Sequence, residues 1–241
     1  GVSKDDERGA DVYLLANSKE QASIVYNECG AQIRTSRVAH RFRVRREAIY
    51  YDRGGGRIQH RASDSRKLDG LNPSMAVFDE IHAYRDTKLI DVIKRGSNKR
   101  QQPLILYITT MGTVLDGPLM HYYQLFTDAM TPGVLRDDVA DSMFTFICEL
   151  DSPEEVDDPD TWIKANPSLG VLLDIERLKL DWERCKLVPQ ERSDFITKQL
   201  NIFCDASEAR FVDIEVIERN NGEISEGELL GRECFGGFDL A

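Results

Sequence analysis

The sequence predicts an α/β fold in which a mainly parallel sheet is flanked by helices. Residues 75–78 and 103–109 are continuous apolar runs, and such runs are typical of strands that are buried on both faces. Helical patterns alternate with these runs, which is the arrangement that produces a parallel sheet. The 241 residues are 41% hydrophobic and 30% charged, a composition that suits a globular protein with a buried core.

Six segments, most of them apolar runs, predict the strands of this sheet. Clusters of turn-forming residues separate the runs, and the clearest cluster is the glycine triplet at 54–56. No Lys-Ser or Lys-Thr pair follows these glycines, so a turn between two strands is favoured over a phosphate-binding loop. In chain order, the predicted strands lie at residues 11–16, 48–51, 57–61, 75–78, 103–109 and 143–148.

Five segments have the pattern of helices. Ser18 and Gln21 are spaced as a capping box, in which each side chain bonds to the backbone N–H of the other residue, so the first helix should begin there. Its apolar residues recur at helical spacing, and we expect it to end near Gly30. The predicted helices lie at residues 18–30, 87–95, 116–130, 175–187 and 190–200.

Charge is distributed unevenly along a chain whose net charge is −11. Residues 34–67 contain eleven Lys or Arg and three acids, whereas residues 137–160 contain ten acids and no Lys or Arg. This asymmetry predicts either a face that meets phosphate groups or an arginine-rich surface that is simply solvated, and the sequence leaves both open. The phosphate-binding candidates are Arg41, Arg43, Arg45 and Arg46.

The sequence excludes several classes of protein. No apolar run approaches the roughly 18–20 residues that a membrane span needs. The first residues lack the apolar core of a signal peptide. The five cysteines lie far apart and form no CxxC pair, so we expect free thiols in a reducing cytoplasm, without disulfides or bound metal.

Two acidic residues follow directly after the apolar run at 75–78. Open α/β sheets bind ligands at the carboxyl ends of their strands, which is where Asp79 and Glu80 are expected. In nucleotide hydrolases, one carboxylate at this position holds Mg²⁺ and a second one orients the attacking water. Two solvated acids at the end of a strand would give the same dipeptide, so the pair alone leaves both interpretations open.

Hydroxyl groups end the next apolar run. Thr109 ends the strand predicted at 103–109, Thr110 follows it, and Gly112 supplies a turn. In a parallel sheet, these hydroxyls can lie beside Asp79 and Glu80 and contact a γ-phosphate or a carboxylate that responds to it. Such a contact gives hydrolysis a physical route to movement.

Six short motifs occur in the order in which one family of viral motors has them. Together they resemble the large terminase subunit of tailed bacteriophages, in the branch that includes phage HK97. This resemblance implies a DNA-packaging motor, in which an ATPase domain drives double-stranded DNA into the procapsid and an RNase H-like nuclease domain cuts the concatemer. The motifs are Asp69–Ser74, Val77–Glu80, Thr109–Gly112, Asn166–Gly170, Phe195–Asn201 and Gly236–Leu240.

The resemblance also implies roles for individual residues. Asp79 would hold the Mg²⁺ that accompanies ATP, and Glu80 would be the catalytic carboxylate. Asp239 would be the first acid of a nuclease site that binds two Mg²⁺ or Mn²⁺ ions. The family's coupling motif, which links hydrolysis to DNA movement, would comprise Thr109, Thr110 and Gly112.

The implied organisation is an incomplete ATPase domain at residues 1–150, a helical connector at 151–232 and the start of the nuclease domain at 233–241. The family's phosphate-binding loop, which is Gly-rich and ends in Lys-Ser or Lys-Thr, does not occur in the sequence, and we expect it to precede the strand at 11–16. The chain also stops inside the nuclease domain, so we expect a fragment at both ends that is inactive on its own.

The resemblance implies partners and a location as well. The partners are double-stranded DNA, the portal protein, the small terminase subunit and further copies of the chain in a ring on the procapsid, with no membrane. The location is the cytoplasm of the bacterial host, and the protein would be absent from the mature virion. Two alternatives remain open, a DEAH-like superfamily-2 helicase, because Asp79 to His82 fit an Asp-Glu-x-His box, and a non-enzymatic remnant that binds DNA or the portal.

Overall fold

The computed structural model describes residues 8–62, 70–114 and 117–204, together with residues 219 and 231. The chain divides into two compact units, residues 1–206 and 207–241, and nearly all described residues belong to the first. The predicted nuclease strand at 233–241, with Asp239, lies outside the described residues.

A six-stranded sheet organises the first part of the chain, with the strand order β2-β3-β4-β1-β5-β6. Strands β4, β1, β5 and β6 run parallel to one another, whereas β2 and β3 pair antiparallel at one edge. The mainly parallel sheet that the sequence predicts is therefore confirmed. The strands are β1 (Asp11–Ala16), β2 (Phe42–Val44), β3 (Ala48–Tyr51), β4 (Arg57–Ala62), β5 (Pro73–Asp79) and β6 (Leu104–Ile108).

Six α-helices accompany the sheet in the described residues. The first begins as predicted, because the N–H of Gln21 donates to Oγ of Ser18 at 3.2 Å. It continues beyond Gly30, where a Cβ would lie 3.2 Å from Cγ1 of Val44, so this glycine allows the helix to approach β2 closely. The helices are α1 (Lys19–Thr35), α2 (Lys88–Ser97), α3 (Pro118–Met130), α4 (Asp137–Ala140), α5 (Ile175–Cys185) and α6 (Pro189–Gln199).

Helices cover both faces of the sheet. On one face, α1 packs through Tyr26 against side chains of β1 and β5. On the other face, α2 and α3 bury the alternate residues of the same strands, and Phe78 is fully buried there. The Tyr107 ring stacks between those of Phe78 and Tyr122, with centroid distances of 5.4 and 4.6 Å. Burying each large apolar side chain contributes roughly 1.5–3 kcal/mol, so this core fixes the strand ends that carry the site.

Residues 150–204 pack around a second hydrophobic core. Trp162 and Trp182 are its largest members, and both lie against Phe195 of α6, with ring centroids 5.7 and 5.1 Å away. The indole N–H of Trp162 donates to the carbonyl oxygen of Val156 at 3.0 Å, so this ring is buried without leaving its donor unpaired. None of the helices in the described part of the chain combines the length and the apolar character that a membrane crossing requires.

The predicted strand at 143–148 is wrong. The structure assigns no strand there, and the side chains of Phe144 and Phe146 are 89% and 76% exposed. The apolar alternation of this segment is that of a strand, but the segment makes no ladder with the sheet. It instead lines a cavity of about 710 Å³ together with β6 and α3.

The burial predicted for β6 also needs correction. The apolar run at 103–109 predicts a strand that is covered on both faces, but β6 lies at the edge of the described sheet. Its side chains alternate between partial burial and exposure, and Leu104, Leu106 and Ile108 are the exposed ones. A continuous apolar run thus identified the strand correctly and its position in the sheet incorrectly.

Candidate active site

The carboxyl ends of β5 and β6 bring the predicted acidic and hydroxyl residues together. Asp79 is the last residue of β5, and the N–H of Glu80 donates to the carbonyl oxygen of Ile108 at 2.7 Å. Glu80 then turns into the left-handed region, with φ of 54° and ψ of 57°. This conformation costs a residue with a side chain about 1–2 kcal/mol. Strain of this kind is found mainly at functional sites, where the surrounding structure maintains it.

Two groups hold the Glu80 carboxylate towards the end of β6, and a third group, the Thr109 hydroxyl, bonds to one of them. Its Oε2 atom lies 3.0 Å from Nδ1 of His82 and accepts a long hydrogen bond, 3.4 Å, from the N–H of Thr110. The same Nδ1 lies 3.0 Å from Oγ1 of Thr109, which also accepts from the backbone N–H of His82 at 3.3 Å. The carboxylate is therefore linked to both threonines that the sequence predicts as coupling residues.

The proton on the His82 ring can be assigned from the Thr109 hydroxyl. That hydroxyl has a single hydrogen, which it donates to the carbonyl oxygen of Thr110 at 2.7 Å. Its oxygen is then an acceptor, so Nδ1 of His82 must carry a hydrogen to bond with it. A protonated Nδ1 is also the form that can donate to the Glu80 carboxylate, so both contacts favour the same tautomer.

The Asp79 carboxyl lies in a poorly solvated position. Burial raises its pKa above the usual value for aspartate, and the neighbouring charge of Glu80 raises it further. Tyr84 lies close by and is almost fully buried, and its hydroxyl finds no hydrogen-bond partner among the described residues. Burial, and then the charge of Asp79, raises the pKa of this phenol as well.

The donor set around Asp79 fits a magnesium ion that is shared with a nucleotide. Carboxylate oxygens are the protein ligands that Mg²⁺ prefers, and a bound cation would offset the unfavourable burial of this charge. The described residues contain no group of three or more His, Cys, Asp or Glu residues that could hold a metal ion by themselves. Sites in which one or two carboxylates hold Mg²⁺ jointly with phosphate groups do not need such a cluster.

Gly112 allows the loop after β6 to approach the 3₁₀ turn at Ile81–Ala83. A Cβ at this position would lie 2.9 Å from Cβ of His82, which is closer than side chains are found to approach. Any residue larger than glycine would therefore displace His82 or the loop. The predicted importance of Gly112 thus has a steric basis, whatever its role in coupling.

The arginine-rich segment divides into residues with different partners. Arg43 pairs with Asp52 at 2.5 Å, and Arg57 makes two hydrogen bonds to Asp11, at 2.7 and 3.1 Å, that join β4 to β1. Arg41 is only partly exposed, and its Nε atom is buried without a hydrogen-bond partner among the described residues. The other two predicted arginines, Arg45 and Arg46, are exposed and line a cavity of about 440 Å³.

This cavity lies between α1 and the turn that joins β2 to β3. Arg34 of α1 completes its basic lining, and Asn27 and Tyr26 supply polar groups. The described residues provide no ion pair for Arg34, Arg45 or Arg46. Their exposed guanidinium groups therefore remain available for an anionic ligand.

Sequence reasoning missed two residues of the site. His82 stands in the Asp-Glu-x-His box that suggested a helicase, and this box is the signal that could have identified its contact with Glu80. Asn201 follows α6, and its Oδ1 atom accepts from the N–H of Met111 at 3.2 Å. The motif at 195–201 includes Asn201, but no local pattern indicates a partner 90 residues away.

Comparison with known proteins identifies relatives of the chain. Residues 5–127 match the family model of the terminase large subunit ATPase domain, and residues 137–241 match that of its endonuclease domain. The chain is 30% identical to protein YmfN of Escherichia coli K12 over 176 residues, which cover 73% of the chain and 38% of YmfN. It is 23% identical to the terminase large subunit of Lactococcus phage p2 over 169 residues, 67% of the chain and 30% of that protein. The chain thus spans well under half the length of these curated relatives.

Solved structures give the same fold. The large terminase of bacteriophage HK97 superimposes with a TM-score of 0.72 at 18% identity, covering 84% of this chain and 41% of that one. An ATPase domain of the large terminase of Thermus phage P74-26 gives a TM-score of 0.50 at 14% identity, covering 82% and 78%. At these identities the likeness establishes the fold alone, and the two family matches favour the terminase over the helicase alternative.

Proposed function

We propose, since this chain belongs to the terminase large subunit family, that Asp79 and Glu80 are the metal-binding and water-activating residues of a DNA-packaging ATPase. The observation that carries the proposal is the left-handed turn at Glu80. It directs the carboxylate across the end of β6, where His82 and Thr110 bind it. Two solvated acids would need neither this strained backbone nor these partners.

In this proposal, the two carboxylates have separate tasks. Asp79 would hold Mg²⁺ together with the nucleotide phosphates, and the bound ion would neutralise charge on those phosphates. Glu80 would accept a hydrogen bond from the attacking water and take its proton as the water oxygen bonds to the γ-phosphorus, while the bond from that phosphorus to the bridging oxygen breaks and ADP leaves. His82 would orient Glu80, since its Nδ1–H donates to the carboxylate oxygen.

The contacts of Glu80 also supply a route for coupling. A shift of the Glu80 carboxylate towards the attacking water would break its long hydrogen bond to the N–H of Thr110, while the contact with His82 could persist. The bond from Thr110 holds the loop after β6, so that loop would gain freedom when Glu80 engages water. The family resemblance implies that Thr109, Thr110 and Gly112 form the coupling motif, and the linkage of the two threonines to Glu80 supports that role.

The chain alone should hydrolyse ATP weakly or not at all. Its sequence contains no Gly-rich loop ending in Lys-Ser or Lys-Thr, and that loop supplies the main phosphate contacts in nucleotide hydrolases. Binding of Mg²⁺·ATP through Asp79 alone should therefore be weak, with a dissociation constant on the order of millimolar.

Equilibrium binding and hydrolysis test the site. We expect calorimetry to detect weak, magnesium-dependent binding of ATP to the wild-type chain, to lose it in Asp79→Asn and to retain it in Glu20→Gln, which alters an exposed carboxylate on α1. Binding that survives in Asp79→Asn contradicts the role of Asp79. Hydrolysis above background that is lost in Glu80→Gln would show that the chain is active and that the site is correct, whereas hydrolysis that survives would refute the role of Glu80.

For DNA, we propose that Arg34, Arg45 and Arg46 contact the phosphate backbone. Their guanidinium groups surround one cavity and have no acidic partner among the described residues, although the chain as a whole is acidic. Each phosphate contact that is lost lowers the slope of log K against log salt by about 0.9. We therefore expect the double variant Arg45→Gln, Arg46→Gln to reduce the slope for a DNA duplex by about 2.

Fluorescence anisotropy of a labelled duplex at several salt concentrations measures this slope. Arg43→Gln is the matched control, because Arg43 lies in the same segment but pairs with Asp52. A slope that falls equally in the control, or in neither variant, contradicts the proposed surface.

The remaining features of the motor are proposals that rest on the family. They are the portal protein and the small terminase subunit as partners, a homo-oligomeric ring on the procapsid, and the cytoplasm of the bacterial host as the location. The nuclease role of Asp239, with Mg²⁺ or Mn²⁺, belongs with them. The division into an ATPase domain at 1–150, a connector at 151–232 and a nuclease domain from 233 is a further prediction.

A further inference from the structure

We propose that Asn201 is a positioning residue that transmits the state of the Glu80 site to the core at residues 150–204. The inference rests on the function proposed for Glu80 and extends it to a residue with no assigned role. The Asn201 side chain joins the loop after β6 to the segment that precedes residue 150.

Both polar atoms of the Asn201 side-chain amide form hydrogen bonds. Its Oδ1 atom accepts from the N–H of Met111 at 3.2 Å, and its Nδ2 atom donates to the carbonyl oxygen of Cys148 at 2.9 Å. Met111 follows Thr110, whose N–H donates to the Glu80 carboxylate. A continuous path therefore runs from Glu80 through two backbone amides to Asn201.

The backbone of Asn201 fits it to this position. Its φ is 53°, and within the described residues only Glu80 and Asn201 combine a side chain with a positive φ. Asparagine tolerates this left-handed conformation better than most residues do. The conformation ends α6 and brings the N–H of Ile202 to the carbonyl oxygen of Ile196, at 3.3 Å.

The far end of the path is rigidly packed. Leu200, next to Asn201, is fully buried in the second core, and its carbonyl oxygen accepts from the N–H of Leu150 at 3.4 Å. The carbonyl oxygen of Gln199 accepts from Nδ2 of Asn166 at 2.7 Å. A shift of the loop after β6 therefore acts on the end of α6, and α6 carries Phe195 between the two tryptophans.

A purely structural role and a transmitting role predict different effects of Asn201→Gly. Glycine adopts the left-handed conformation without strain, so this variant keeps the end of α6 and removes both side-chain hydrogen bonds. If the helix end alone needed Asn201, glycine would replace it without consequence. If the Asn201 amide transmits the state of the Glu80 site, the glycine variant should uncouple that site from the core at residues 150–204 while both remain folded.

The two tryptophans of the chain supply the readout, since both lie in the second core. In the wild-type background, we expect Glu80→Gln to change the tryptophan emission. In the Asn201→Gly background, the same substitution should leave the emission unchanged. Amide exchange should show the broken bond directly, with exchange at Met111 about fivefold faster in Asn201→Gly, the factor expected for one ordinary hydrogen bond.

Asn166→Ala is the matched control. It removes the hydrogen bond to Gln199 and loosens the same core, but it leaves the contacts of Met111 intact. We expect it to lower stability without changing exchange at Met111 or the response of tryptophan to Glu80→Gln.

The proposal is wrong if Glu80→Gln leaves wild-type emission unchanged, if it changes emission equally in both backgrounds, or if Met111 exchange is unaffected in Asn201→Gly. These measurements need no nucleotide, so a failure to bind ATP would count against the proposed function alone.

Discussion

The ring nitrogen Nδ1 of His82 lies 3.0 Å from Oε2 of Glu80, the carboxylate proposed to activate water. The same nitrogen contacts Oγ1 of Thr109, so one imidazole N–H holds the tips of β5 and β6 together. Removing this donor should release the carboxylate and also lower the stability of the strand ends. His82 therefore offers a way to test the site through stability, independently of any enzymatic assay.

We expect His82→Ala to lower the free energy of unfolding by about 1–2 kcal/mol, since each hydrogen bond that is lost contributes roughly 0.5–1.5 kcal/mol. Urea denaturation followed by tryptophan fluorescence measures this change. The control is His121→Ala, which removes an exposed imidazole from α3 and should change stability by less than about 0.5 kcal/mol. Equal effects of the two substitutions would show that the contacts of His82 with Glu80 and Thr109 are energetically unimportant.

The raised pKa of Asp79 predicts how stability depends on pH. Burial and the charge of Glu80 make the folded protein hold this proton more tightly than the unfolded chain does. Ionisation of Asp79 therefore lowers the free energy of unfolding as pH rises from about 4, the usual value for aspartate, through the raised pKa. Asp79→Asn cannot ionise, so it should be more stable than the wild type at pH 7, and this advantage should disappear below about pH 4.

Unfolding in urea at several pH values tests this prediction. Asp160→Asn provides the comparison, because Asp160 is an exposed aspartate outside the site. We expect that variant to follow the wild-type curve throughout. An Asp79→Asn protein that is less stable than the wild type at pH 7 would mean that the Asp79 carboxylate is stabilised, rather than strained, by its surroundings.

The close approach at Gly112 predicts a steric effect. Gly112→Ala would place a Cβ 2.9 Å from Cβ of His82, so the loop or the 3₁₀ turn must move, at a cost of about 1–3 kcal/mol. Gly54→Ala is the control, since a Cβ there meets the ring of Tyr51 at an ordinary 3.5 Å and φ is not positive. Thermal unfolding should separate the two variants. A Gly112→Ala protein as stable as the Gly54→Ala protein would contradict the close approach of this loop to His82.

Local signals in the sequence predicted much of the fold. The strand at 11–16 and the helix start at Ser18 depend on neighbouring residues only, and the structure confirms both. The antiparallel strand β2 was missed because its three residues lie in an arginine-rich segment and alternate too briefly to be recognised. The strand predicted at 143–148 is wrong because an apolar alternation does not show whether a neighbouring strand is available for pairing.

The site was predictable to the extent that it follows strand ends. Asp79 and Thr109 stand next to apolar runs, so parallel pairing of the two strands predicts that they lie close together. The roles of His82 and Asn201 depend on side-chain directions and on a contact over 90 residues, which periodicity does not encode. The same limit hid the edge position of β6, because an apolar run looks alike at the centre and at the edge of a sheet.

That edge position predicts self-association of the chain. In the described sheet, β6 pairs with β5 alone, and its exposed side chains include Leu106. An unpaired apolar edge is a template for pairing with another strand, and a lysine there opposes such pairing. We expect Leu106→Lys to lower the associated fraction in sedimentation velocity experiments at micromolar concentration. It should cost no more than about 1 kcal/mol of stability, because Leu106 is already partly exposed.

Leu180→Lys introduces the same charge at an exposed leucine of α5, away from any strand edge, and should leave association unchanged. If both lysines reduce association equally, net charge rather than the open edge of β6 controls it.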